Sequence, residues 1–418
     1  MIPPTWLREA PRLDLLIVDD DDVPVIEFVP VERSADAPTG GLLPEPWRSR
    51  VLLNVIHDGD VIPRSLLTDR FGDPIDIEEI RPHYVRERDW GASAVAEQLA
   101  SNLGLDGFYR IRIARVLMDF GRFPGETRGA PGHLNRFAIN HPFCRKLGWT
   151  QKRAVLEQLY DTCSETLEAA IDGQALMLGL HTYDTHNASG TERPDVSVIT
   201  QPQSYQLDSA MPEGLYDELY PDVLAEFTAD RILRDRIALT LERAGVRVAH
   251  NYPYLLPEGS LEIRSQVFFF FAWLREQFEA EYPETKDLPA FDSAWQLLLD
   301  TNLRSVESAA LRGYMHMFRH APTGRKRLFR DAVEAYAAIA SFTQRDDSAV
   351  VRRYRMRRDR PSSMALEVRK DLVWKFEDGA PVGPRPESIG HIAGGLAQAL
   401  VTYFGEDKAH LAAAAAAG

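Results

Sequence analysis

Two continuous apolar runs constrain this chain more than any other feature. Residues 51–56 read VLLNVI and residues 175–180 read ALMLGL, and each run ends against a histidine, His57 and His181. A strand with one wet face alternates apolar and polar residues. A run that is apolar at nearly every position belongs to a strand covered on both sides. Such strands need helices above and below them, and helical segments do lie between them. DWGASAVAEQLASNLG (89–104) opens on Asp89, repeats its apolar residues at helical spacing and stops at Gly104. TQKRAVLEQLYDTCSETLEAAIDG (150–173) is amphipathic and also ends on glycine. DRIALTLERAG (235–245) runs into the strand pattern VRVAHNYPY (246–254). FYRIRIARVLMDF (108–120) and SMALEVRKDLVWKF (363–376) contain further strands, and IGHIAGGLAQALVTYFG (389–405) reads as a closing helix. The pattern predicts an α/β fold with a mostly parallel or mixed central sheet flanked by helices.

Two stretches depart from this rhythm. In residues 1–50, LDLLIVDDDD is followed by VPVIEFVPV, which predicts an N-terminal extension with a β-hairpin around an acidic turn. A strand ending in paired acids also occurs in magnesium-binding receiver domains. Those continue into a helix, whereas here a second β-branched run with two prolines follows. The Gly- and Pro-rich segment 34–46 then reads as a loop. Residues 265–350 are helical throughout and read as a helical insertion. The α/β core is therefore expected in 51–264 and 351–410, ahead of a low-complexity alanine-rich tail.

Composition narrows the function classes. A formal net charge of −14 over 418 residues argues against nucleic-acid binding, which needs a basic face. The basic run VVRRYRMRRDR (350–360) reads as a solvated face or carboxylate-binding edge. The longest apolar run, VFFFFAW, is too short to span a bilayer, and no secretory leader is predicted. The two cysteines, Cys144 and Cys163, form no C-x-x-C pair. A cytoplasmic protein without nucleic-acid or membrane partners is expected.

Ligands of open parallel sheets bind beyond the carboxyl ends of the strands. The strand ends here carry His57, Asp58 and Asp60; Asp119 and Arg122; His181, Asp184 and His186; His250, Asn251 and Tyr254; and Glu367, Arg369 and Asp371. Two histidines and a carboxylate suit a catalytic zinc or another divalent metal, which takes three protein ligands and keeps one position open. His57 and His181 are the histidine candidates. The third ligand is Asp60, at H-x-x-D spacing on the same loop, or Asp89, at the start of the following helix.

Six ordered segments carry a resemblance: NVIHDGDVIP (54–63), RDWGA (88–92), RVLMDFGRFP (115–124), LGLHTYD (178–184), NYPY (251–254) and ALEVRKDL (365–372). Together they resemble the N-formylglutamate amidohydrolase family, a relative of the zinc carboxypeptidases. The resemblance implies a zinc-carboxypeptidase-like hydrolase fold and cleavage of an amide bond; the alternatives are a carboxypeptidase-like peptide hydrolase, or an inactive binding or scaffold protein on the same fold with the helical insertion as its interaction surface. The resemblance favours Asp89 over Asp60 as third ligand and implies Glu367 as general base on water. It also implies Arg115 and Arg122 facing an acidic substrate, a small molecule or a peptide, with Asp119 orienting an arginine. Asn251, Tyr254 and Arg369 join them on the substrate side. One departure is Gly121, which stands where the family has asparagine.

Overall fold

The computed structural model describes residues 13–20, 23–31, 42–124, 138–211, 216–302, 304–317 and 319–407. The alanine-rich tail and most of the 34–46 loop lie outside them. The described strands are β1 (Leu16–Val18), β2 (Ile26–Pro30), β3 (Val51–Val55), β4 (Val61–Pro63), β5 (Gly107–Ile111), β6 (Leu176–Tyr183), β7 (Val196–Ile199), β8 (Val248–His250), β9 (Ser362–Arg369), β10 (Trp374–Glu377) and β11 (Ala380–Pro384). Seven of them form one mixed sheet in the order β2-β5-β3-β6-β9-β7-β8. The apolar runs occupy its middle, as their composition requires: every residue of β3 and β6 is buried.

The sheet is parallel across β5, β3, β6 and β9. β2 joins antiparallel to β5, and β7 joins antiparallel to β9 with β8 parallel beside it. The expected N-terminal hairpin does not form. β1 pairs in parallel with β4, and β2 completes the edge of the main sheet on β5. An isolated two-stranded hairpin is marginal in water, whereas β4 and β5 each offer a free row of backbone hydrogen-bonding groups.

Strand alternation divides the core. Leu176, Leu178 and Leu180 of β6 join Met364, Leu366 and Val368 of β9 on one face. That face is covered by the helices α2 (Ala92–Leu103), α4 (Arg231–Arg243) and α9 (Pro386–Thr402). On the other face, Met177 packs with residues from α1 (Ile77–Glu87) and from the continuous helix that ends as α3 (Asp161–Ile171). Four helices follow β8: α5 (Leu261–Glu281), α6 (Pro289–Leu299), α7 (Val306–His316) and α8 (Lys326–Arg355), the last interrupted at Arg345–Ser348. Their aromatic core of Phe270, Phe271, Phe278 and Trp295 meets the sheet at Ile199 and Ala365. The helical region thus begins at Leu261, four residues before its expected start, and packs directly on the sheet. No described helix is long and apolar enough to cross a membrane.

Candidate metal centre

β6 continues past its apolar run, so His181 lies within the strand, on the face opposite Leu180. In the parallel register, His181 aligns with Glu367 of β9. Neighbouring positions of paired strands point to the same side, which sets an imidazole beside a carboxylate. Gly179 precedes them on that face. A Cβ there would come within 2.5 Å of Glu262 Oε1 and 3.3 Å of His181 Nε2, so the missing side chain admits Glu262 from the first turn of α5.

His57 follows β3, and its main-chain carbonyl accepts from Asp89 N at 3.0 Å. Gly91, in the left-handed region at φ 90°, turns the chain from there into α2. Asp58 braces the same turn by accepting from Arg88 Nε at 2.6 Å and Ser93 N at 3.1 Å. Asp89 Oδ2 then lies 3.1 Å from His181 Nδ1 and 3.6 Å from His57 Nδ1. His57, Asp89 and His181 are all buried, and their candidate ligand atoms lie within 4.8 Å of one another. Donors held about 2.0–2.1 Å from one tetrahedral ion sit about 3.3 Å apart, and the two Asp89 distances bracket that spacing. His57 Nδ1 is buried without a hydrogen-bond partner, while Nε2 sits 2.7 Å from Asp119 Oδ1. An imidazole anchored through one nitrogen with the other left bare is arranged as a metal ligand. The residues present fit a divalent ion.

The electrostatics agree with the packing. Burial raises a lone carboxyl, but Arg115, His181 and His57 outweigh it and hold Asp89 far below the usual carboxylate range. Asp119 is likewise held low against burial by Arg115 and His57. Burial opposes charge on His181, yet the Asp89 hydrogen bond and the Glu367, Asp89 and Glu262 carboxylates raise it to about 9. Burial and the nearby Asp89 charge push Glu367 up.

These groups open into a cavity of about 750 Å³ that also presents Arg115, Arg122, Arg193, Tyr183, Tyr254 and Glu262. Arg115 spans Asp89 (3.1 Å) and Asp119 (3.3 Å), and the half-exposed Arg122 meets Asp119 at 3.1 Å. Asp119 therefore meets both arginines, where one was expected, and His57 as well.

Three expected site residues fall elsewhere. Asp60 is buried on Arg112 at 3.0 Å, because the loop turns it away from His57 beneath β5. Asn251 has φ 53° and accepts from Thr200 N at 2.8 Å, so it shapes the chain leaving β8. The reversed direction of β7 and β8 is the reason: the carboxyl end of β8 does not share the rim of β6 and β9. Arg369 is bound by Glu192 (2.6 Å) and Asp371 (2.7 Å) and does not line the cavity. Tyr254 does line it, with its ring 6.5 Å from that of Tyr183. Glu262 and Arg193 were not anticipated. Glu262 carries the pattern of an acid in a first helical turn, and Arg193 sits in a polar loop without periodicity.

No protein-family model matches the chain, and no curated protein matches it. Among solved structures, N-formylglutamate amidohydrolase from Ralstonia eutropha aligns with 88% of this chain and 97% of its own at 13% identity, with a TM-score of 0.44. A gene product of Agrobacterium tumefaciens aligns with 86% of this chain and 92% of its own at 15% identity, with a TM-score of 0.41. Similarity at this level assigns no residue a role.

Proposed function

We propose that this chain is a divalent-metal-dependent hydrolase, with zinc the best-suited ion, that cleaves the C–N amide bond of an N-acyl amino acid or peptide-like substrate carrying an acidic group. The observation that carries the reading is the convergence of His57, Asp89 and His181 within 4.8 Å beside a partly buried Glu367 in one cavity. When bound, the ion supplies Lewis acidity toward a carbonyl oxygen and acidifies water.

The chain's own groups have separable tasks. Asp119 accepts from His57 Nε2–H and so leaves the Nδ1 lone pair for the ion. Asp89, ionised in its buried site, supplies an anionic ligand. The Glu367 side chain has no hydrogen-bond or ion-pair partner among the described residues, and its raised carboxyl suits acceptance of a proton from water and delivery to the leaving nitrogen. Arg115 lies between the Asp89 and Asp119 carboxylates and fixes both.

The test is metal analysis of protein purified without added metal, combined with hydrolysis of a panel of N-acyl amino acids and short peptides. Wild type is expected to hold about one ion per chain and to hydrolyse members of the panel, with His57→Ala losing both properties. A metal-free wild type whose behaviour His57→Ala leaves unchanged would overturn the reading.

A further inference from the structure

Arg193 differs from the other cations around the cavity. Arg86 meets Glu87 at 3.1 Å, Lys370 meets Asp184 at 3.2 Å, Arg115 holds Asp89 and Asp119, and Arg122 holds Asp119. Arg193 is 8% exposed, its Nε is buried without a hydrogen-bond partner, and no carboxylate among the described residues reaches its guanidinium. The acids next to it in sequence are engaged elsewhere: Glu192 holds Arg247 and Arg369, and Asp195 holds Arg247. A buried charge without a counterion is costly, so the position makes chemical sense once an anion enters.

Two aromatic rings also pack against it. The guanidinium carbon lies 5.2 Å from the Tyr183 ring centroid and 5.0 Å from that of Tyr254. The Tyr183 hydroxyl donates to Pro194 O at 2.7 Å, which locks that ring beside the arginine. The two rings meet edge to face, 6.5 Å apart at 73°, so the guanidinium rests in an aromatic corner, and such contacts with ring faces leave its N–H groups to pair with a carboxylate.

We propose that Arg193, seated against Tyr183 and Tyr254, is the residue by which the cavity reads a carboxylate on its ligand, a task that Arg122, already paired with Asp119, does not perform. Its use in turnover rests on the hydrolase reading; the binding itself does not. Binding is therefore measured by calorimetry on full-length, chelator-treated protein with glutarate, and with glutaramide as its uncharged counterpart. Wild type is expected to prefer glutarate. Arg193→Gln loses about tenfold or more in glutarate affinity, as for loss of one charge-assisted hydrogen-bonding pair. Because the replaced charge is uncompensated, the same variant melts no lower than wild type.

Arg193→Lys keeps the charge but not the fork, and binds glutarate several-fold more weakly than wild type; it carries the test should the glutamine variant not fold. Glutarate affinity unchanged in either folded variant, or equal wild-type affinity for glutarate and glutaramide, overturns the assignment. Arg193-dependent glutarate binding in a protein with neither metal nor hydrolytic activity would sink the hydrolase reading alone. Metal-dependent hydrolysis without such binding would sink this proposal alone.

Discussion

The backbone N–H of Asp89 donates to the carbonyl of His57 at 3.0 Å. A loop after one strand and the start of the next helix are thus tied by main chain, and the side chains of both residues reach His181 from that joint. Asp60, closer to His57 in sequence, is held by Arg112 instead. The two aspartates separate cleanly under mutation. Asp89→Ala should abolish metal retention, with a loss beyond the roughly 10–100-fold that removal of an outer partner causes. Asp60→Ala should keep the metal and lose stability, by less than the roughly 3–5 kcal/mol of a fully orphaned buried charge, because Glu27 still meets Arg112 at 3.1 Å. Metal content after dialysis and a urea titration of each variant check the pair.

Asp119 supports the centre without touching its ligand atoms directly. It accepts from His57 Nε2 at 2.7 Å and meets Arg115 and Arg122. Asp119→Asn keeps the shape, removes the charge and disturbs the imidazole tautomer. Metal affinity is expected to fall roughly 10–100-fold, read by competition with a chromophoric chelator.

Glu367 should separate chemistry from binding. Its alignment with His181 sets it beside the cluster, outside the trio of ligand candidates. Glu367→Gln is expected to retain the metal while hydrolysis falls about 10²–10⁴-fold. Equal turnover by the variant would remove Glu367 from proton transfer.

How much of this was legible in the sequence follows from how each residue is positioned. His57 and His181 follow or extend apolar runs whose burial on both faces the composition dictates, so their placement could be read locally. Asp89 was readable as a helix start, but its meeting with His57 depends on a backbone bond between separate elements. Strand direction is different. Nothing in VRVAHNYPY encodes that β8 runs parallel to β7 and against β6, and Asn251 was misplaced for that reason. Arg193 comes from a polar loop, and Glu262 from the first turn of a helix whose start was expected four residues later. Only tertiary packing against Tyr183, Tyr254 and the gap at Gly179 gives them significance.

The metal-free protein should show a pH dependence with a definite sign. His181 is raised to about 9 from an ordinary value near 6.5, so the folded state keeps a proton that the unfolded chain releases earlier. That contribution is complete below about pH 6.5 and fades as pH rises toward 9. Asp89 and Asp119 are lowered, so theirs is present above about pH 3.9 and fades on acidification. Metal needs His181 deprotonated, so apparent affinity should tighten about tenfold per pH unit between pH 7 and 9. Thermal midpoints of chelator-treated protein and metal titrations at matched ionic strength test both halves. A pH-independent affinity over that range would contradict the His181–Asp89 arrangement.

Gly121 offers a sharp test of the packing around His57. A Cβ at this position would sit 3.1 Å from His57 Cε1, 3.2 Å from His57 Nε2 and 3.2 Å from Asp119 Oδ1. Those atoms form the 2.7 Å contact that orients His57, and Asp119 also accepts from Gly121 N at 3.1 Å. A side chain must therefore push apart the pair on which the Nδ1 orientation depends. Gly121→Asn, which installs the residue of the family that the sequence resembles, should weaken metal binding, by roughly tenfold as for an impaired outer partner, and should not confer activity toward N-formylglutamate. Gly121→Ala should do the same to a smaller degree, since it adds the crowding Cβ without the amide. If Gly121→Asn binds metal as tightly as wild type and gains N-formylglutamate hydrolysis, the contact between residue 121 and the His57–Asp119 pair does not govern the site.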